Sequence, residues 1–324
     1  MASREDFLRL MKNDSPKWLG DPWDCFLGSP LTFDGVTMAQ GGPQPGQMGV
    51  KNFWGVVFDY PEGQPASVPN VTEENCVVKD ICEWEAYLQF PDIDSLPFPQ
   101  VPDRGDKLVM CPSFVGPFEF SHYVMPFEEA LANYLLEPEA MESLISAYMD
   151  WKIKAVGRII DEMHPDIIHS HDDWGDKQRM FLSPELWRKI IKPHYARFCA
   201  YIKSRGVLIQ HHCDGVADAI AEDMVEMGID MWQGVIPQND IEGVVRRTEG
   251  KLCLLGGLDM GLIDLPDAEE GQVRAHVRQT IDRYMPLGSF IPCATNIWPL
   301  YPQVQRAVHE ELCSYGAAWA AAHF

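Results

Sequence analysis

The chain has 324 residues, 46% of them hydrophobic, which is enough to bury one large core. Its 26 Lys and Arg stand against 48 Asp and Glu, a formal charge of -22 at pH 7. That balance excludes nucleic acid and anionic membrane surfaces as natural partners, since both reward basic faces.

A first helix is predicted over Arg4 to Lys12, where Phe7, Leu8 and Met11 fall on one face. Residues 13 to 105 are rich in Pro and Gly, as in Gly41-Gly42-Pro43-Gln44-Pro45-Gly46, and read as largely irregular. Two short apolar stretches break the pattern, Gly55 to Tyr60 and, later, Leu108 to Pro112. From 127 onward the rhythm is regular. A helical region from about Glu128 to Glu162 precedes a strand at Asp166 to Ser170. Ser183-Pro184-Glu185 supplies an N-cap, a first-turn proline and an early acid for a helix running to about Ser204. Strand 207–211, helix 216–227, strand 229–232, helix 241–248 and strand 252–256 follow, then helix 267–284, strand 289–293 and a helix from about 302.

Strands alternating with helices at this interval imply a parallel sheet. Seven or eight such units predict a single (β/α)8 TIM barrel domain over 1–324, with 1–105 partly irregular and the active site at the C-terminal strand ends. A doubly wound open sheet is the alternative, but no Gly-rich phosphate loop supports it.

Polar and sulfur residues collect at those predicted ends: Asp172, His211, Cys213, Gln233, Asp259 and Cys293. His211 and Cys213 are two apart on an extended segment, so they point to one side and His212 faces away. Cys293, from another strand end, would complete three ligands around one zinc ion, leaving a position open for a small substrate. No fourth protein ligand is evident in the sequence; Asp214 and Asp259 are the nearest candidates. The competing reading makes Cys213 and Cys293 buried thiols and His211 a core histidine.

The segment His169-Ser170-His171-Asp172-Asp173-Trp174 ends the strand that begins near Asp166. A carboxylate there could bind a substrate hydroxyl or protonate a departing oxygen, or could simply cap a loop. His169 and His171 share one face and are candidates to support the site. Trp54, Phe58, Phe118, Phe120, Trp174, Trp232 and Trp298 fall near strand ends. Singly each reads as core; together they would wall a flat apolar pocket suited to a planar aromatic substrate.

On these residues the chain resembles the uroporphyrinogen decarboxylase superfamily. The landmarks are Arg4-Glu5-Asp6-Phe7-Leu8-Arg9-Leu10, Gly116-Pro117-Phe118-Glu119 and Asp172-Asp173-Trp174-Gly175. Ser183 to Trp187 with Pro193, then Gly256-Gly257-Leu258-Asp259 and Gly288 to Cys293, complete them. The resemblance implies a (β/α)8 barrel and offers two chemistries. Metal-free decarboxylases grip their substrate's carboxylates with an Arg-rich N-terminal motif, whereas here only Arg4 and Arg9 precede Arg104. The corrinoid-linked methyltransferase branch holds zinc on a His-x-Cys and a late Cys, which His211, Cys213 and Cys293 match one by one.

The resemblance therefore implies a zinc-dependent methyltransferase. It would move a methyl group between a small substrate and the cobalt of a corrinoid (cobalamin) carried by a separate protein. Asp172 and His211 are the expected catalytic residues; Asp172, Trp174, Phe118, Phe120 and Trp298 are expected to bind substrate. O-demethylation of an aryl methyl ether is favoured. Methyl transfer from the corrinoid to a thiol is the variant, and a metal-free decarboxylase or a non-catalytic corrinoid or aromatic sensor are the rivals. Self-association is expected by analogy alone. No apolar run approaches the ~18 residues a spanning helix needs. Charges interrupt the opening Met1 to Leu8 where a leader would be apolar, and nine irregularly spaced cysteines read as reduced thiols, so the expected compartment is the cytoplasm.

Overall fold

The structure is a computed structural model that describes residues 3–14, 20–28, 42–64, 67–95, 98–113, 115–295 and 301–323. Helix α1 (Arg4–Met11) begins with a capping box. The Ser3 hydroxyl accepts from the Asp6 N–H while the Asp6 carboxylate reaches back to Ser3, satisfying donors the first turn cannot. Phe7, Leu10 and Met11 form its buried face. The Pro- and Gly-rich region holds a small antiparallel sheet, β1 (Val50–Lys51), β2 (Val57–Asp59) and β3 (Val68–Pro69), and the single-turn helix α2 (Trp84–Tyr87).

The rest is strand and helix in alternation. Strand β4 (Met110–Ser113) is followed by α3 (Pro117–Val124), α4 (Phe127–Leu136) and α5 (Pro138–Met163). Then come β5 (Ile167–His171), α6 (Pro184–Ile190), α7 (Lys192–Ser204), β6 (Leu208–His212), α8 (Ala221–Met227), β7 (Met231–Val235) and α9 (Ile241–Arg247). Strand β8 (Cys253–Gly257), α10 (Met260–Ile263), α11 (Glu270–Tyr284), β9 (Phe290–Cys293) and α12 (Pro302–His323) complete the chain. The helical region predicted from 128 to 162 is two helices. Pro138 cannot donate to the ladder and restricts Glu137 before it, which leaves the helical region at φ -130°, ψ 54°.

The six strands β4 to β9 pair in parallel and in strict sequence order. A doubly wound sheet must reverse its order at a switch point; here each crossover steps the same way to the next strand, the arrangement of a (β/α)8 barrel. Phe26 adds a parallel bridge to Leu108 beyond the start of β4.

Alternation along the strands sorts side chains into two cores. Ile168, Ile209, Trp232, Leu254 and Phe290 pack outward with Tyr195 and Phe198 of α7 and the long apolar face of α5. Met110, Ile167, Met231, Cys253, Leu255, Ile291 and Cys293 point inward and meet Phe7, Leu10 and Met11 of α1. Among the described residues no helix is long and apolar enough to cross a membrane.

Candidate metal centre at the strand ends

Strands β5 and β6 pair so that Ser170 lies beside His211 and His171 beside His212. Because successive side chains alternate, His171 and His212 share the inward face with His169 and Gln210, while Ser170 and His211 share the outward one. At the inward end the rings of His171 and His212 stack, 4.5 Å between centroids and 13° between planes. Nε2 of His171 lies 3.9 Å from Oδ2 of Asp173, and Nε2 of His212 lies 4.0 Å from Oδ1 of the same carboxylate. One donor atom from each of the three residues falls within 4.8 Å of the other two.

The opposite ring nitrogens determine which tautomers these are. The Gln233 amide donates through Nε2 to the Thr295 carbonyl at 2.9 Å, so its Oε1 faces His212 and accepts from Nδ1–H. The Glu119 carboxylate accepts from Nδ1–H of His171 at 2.9 Å. A ligating imidazole is normally held this way, with a carboxylate or carbonyl oxygen on the far nitrogen. Two imidazoles and one carboxylate are within the usual set for catalytic zinc and for other first-row divalent metals.

The acids around His171 favour a cation at that ring. Burial opposes charge on His171, but Glu119 and Asp173 outweigh it and push its pKa up to about 10. Burial and the charge on His171 together hold His212 down to about 4. Burial also pushes Asp173 well above the usual carboxylate range, despite the pull of His171. The acids that hold a proton on His171 would hold a metal ion in its place. His171 and Asp173 keep 25% and 29% of their side-chain surface exposed, so the centre is reachable from solvent.

The family model for uroporphyrinogen decarboxylase (URO-D) matches residues 103–294, more than half of the chain. The chain belongs to the uroporphyrinogen decarboxylase family. That span contains all six parallel strands and every residue of the centre just described. Among solved structures, a methyltransferase from Methanosarcina mazei aligns with a TM-score of 0.57 and 13% identity, over 81% of this chain and 76% of that one. At that identity the likeness is one of fold. No curated protein sequence matches the chain.

The ligand set expected from the family's zinc-binding branch does not come together in this member. His211 and Cys213 do share a side, as predicted, but it is the outward side. Nδ1 of His211 sits 2.8 Å from the Tyr195 hydroxyl and 3.2 Å from Ser170 Oγ, and its ring stacks on Trp174 at 4.0 Å. Its Nε2 is buried without a hydrogen-bond partner. Cys213 Sγ accepts the Trp174 N–H at 3.4 Å. Cys293 points the other way, into the apolar cluster under the inward face with Cys253 and Ile291. Among the described residues, only two groups of three ligating side chains converge, and none of these three belongs to either.

Asp172, expected to bind substrate, is engaged with the protein itself. It is fully buried and accepts three hydrogen bonds, from the N–H groups of Phe118 (3.2 Å) and Glu119 (2.8 Å) and from Nε1 of Trp174 (2.7 Å). Gly116 permits the approach, since a Cβ there would stand 2.2 Å from the Asp172 side chain. Asp172 thus anchors the first turn of α3, and through it places Glu119 against His171. Phe118 stacks on Phe181, Phe120 on Tyr148 at 3.7 Å, and Trp174 on His211; all three aromatics are buried in the outward core rather than lining the centre. Trp298 lies outside the described residues.

Proposed function

We propose that this family member is a metal-dependent methyltransferase, which moves a methyl group between the oxygen of a small methyl ether and the cobalt of a corrinoid carried by a separate protein. The reading rests on the family, on a fold shared with a protein described as a methyltransferase, and above all on one observation. His171 and His212 present Nε2 to a single carboxylate while Glu119 and Gln233 fix their other nitrogens.

When bound at His171, Asp173 and His212, a zinc-class ion would supply Lewis acidity to the substrate heteroatom. The chain's own residues do the positioning. Glu119 and Gln233 hold the two imidazoles in the ligating tautomer, and Asp173 supplies the carboxylate oxygen that completes the ligand set. Asp172 keeps α3, and hence Glu119, in register with β5. Imidazole and carboxylate ligands leave the site harder than the thiolate-rich set expected from sequence, which favours an oxygen donor over a thiol. Aryl methyl ethers fall in that class, but the described aromatic residues that suggested a planar substrate, from Trp54 to Trp232, are spent on core packing.

The test is to supply metal-loaded protein with reduced cobalamin and a panel of methoxyarenes and alkyl methyl ethers, watching the visible spectrum for methylcobalamin. We expect methylation with at least one ether, and a loss of about 100-fold or more in Asp173→Asn and His212→Ala, each of which alters a proposed metal ligand where loss of a mere supporting partner costs about 10- to 100-fold. Failure of transfer in both directions, ether to cobalt and methylcobalamin to oxygen or thiol acceptors, would reject the reading. Carbon dioxide release from a porphyrinogen by metal-stripped protein would make the chain a decarboxylase instead.

A further inference from the structure

A second set of ligating side chains lies away from the strand ends, where the segment before β1 meets the last helix. His309 and Cys313 are four residues apart on α12 and so share a face. Nε2 of His309 is 3.9 Å from Sγ of Cys313. Asp24, on the 3-10 helix Pro22–Cys25, brings a carboxylate to the same point, and the three donor atoms lie within 4.8 Å of one another. Asp21 orients the imidazole: its Oδ2 accepts from Nδ1–H of His309 at 3.2 Å, while its Oδ1 accepts from the Trp23 N–H at 3.1 Å. Nε2 is thereby turned toward Cys313 and Asp24. Gly20, at φ +82°, lets the backbone pass the thiol closely, since a Cβ there would lie 3.0 Å from Sγ.

We propose that Asp24, His309 and Cys313 bind a second divalent ion of the zinc class, which clamps the N-terminal segment to α12. Thiolate, imidazole and carboxylate are all normal zinc ligands, and a carboxylate on the far nitrogen of the histidine is the usual support. The Cys313 thiol releases its proton to solvent as the metal–sulfur bond forms. The clamp joins elements whose supporting pair, Asp21 and His309, is 288 residues apart in sequence. It is independent of the strand-end centre, which contains no sulfur.

Cobalt(II) is the probe, because a cobalt–thiolate bond gives a near-ultraviolet charge-transfer absorption that imidazole and carboxylate ligands do not. Titrating the full-length, metal-free protein should bring up this absorption with the intensity of one cobalt–thiolate site per chain, and Cys313→Ser should abolish it. His309→Gln alters a side chain that is 45% exposed, so the fold and its circular dichroism should persist. Cobalt binding read at the same band should weaken about 10-fold or more in that variant. The band should survive His212→Ala, which separates this outcome from any failure of the strand-end centre. No absorption at saturating cobalt, or a band that persists in Cys313→Ser, overturns the proposal.

Discussion

At the scale of single residues, the centre depends on which nitrogen each histidine turns inward. Glu119→Gln removes the charge that holds Nδ1–H of His171 while keeping an acceptor in place. Metal affinity should fall about 10- to 100-fold, the usual effect of losing a supporting partner, read by competition with a chromogenic chelator. Cys213→Ser and Cys293→Ser should leave the metal content of the strand-end centre unchanged, as measured by elemental analysis against His171→Ala. A loss of that metal in either cysteine variant, with the fold intact, would restore the sulfur ligand set. The shared side of His211 and Cys213 was legible in the sequence, because alternation requires it. Its direction was not. Strand β6 reads Leu208-Ile209-Gln210-His211-His212, with an apolar residue followed by polar ones on both faces, so hydropathy does not say which face meets the helices. The paired pattern of His169 and His171 beside Gln210 and His212 was the available signal, since together they form one polar stripe.

At the scale of elements, α3 is tied to the end of β5 by the Asp172 carboxylate. Asp172→Ala would leave two backbone N–H groups and an indole N–H buried without an acceptor. At about 1–3 kcal/mol for each such group, the loss should be about 3 kcal/mol or more, measured by denaturant unfolding. The same variant should weaken metal binding, because Glu119 rides on that turn; unchanged stability and affinity would contradict the anchoring role. The motif carrying Asp172 and Asp173 was visible as chemistry, yet adjacent residues on a strand end face opposite ways and only the three-dimensional partners tell them apart. Helix and strand order from 127 onward was legible because period and caps agree. The break at Glu137 was signalled by Pro138, whose missing N–H ends one helix and begins the next.

At the scale of the whole molecule, the monotonic strand order follows from the βα alternation that the sequence displays. The small sheet β1 to β3 does not, since its two- and three-residue strands carry no periodicity. The interior also holds a lysine that connects folding to pH. Lys152 on α5 is 1% exposed, donates to the Ser113 carbonyl at 2.8 Å, and lies 5.4 Å from the Phe198 ring centroid. Burial pushes its pKa down to about 7, against the pull of Asp172 and Glu119. In the unfolded chain its pKa returns to about 10.4. Between those values the unfolded state binds a proton that the folded state does not, so this group makes stability rise as pH climbs from about 7 toward 10. The unfolding free energy of the wild type should therefore increase relative to Lys152→Met over that window, and parallel profiles would refute it.

One metal ion is expected between His171, Asp173 and His212. Anomalous X-ray scattering at the absorption edge of the bound metal, from crystals of the metal-loaded protein, tests it most directly. A peak within bonding distance of the Nε2 atoms of His171 and His212 and of an Asp173 oxygen is the predicted result. A peak beside His211, Cys213 or Cys293, with none between the stacked imidazoles and Asp173, would contradict it.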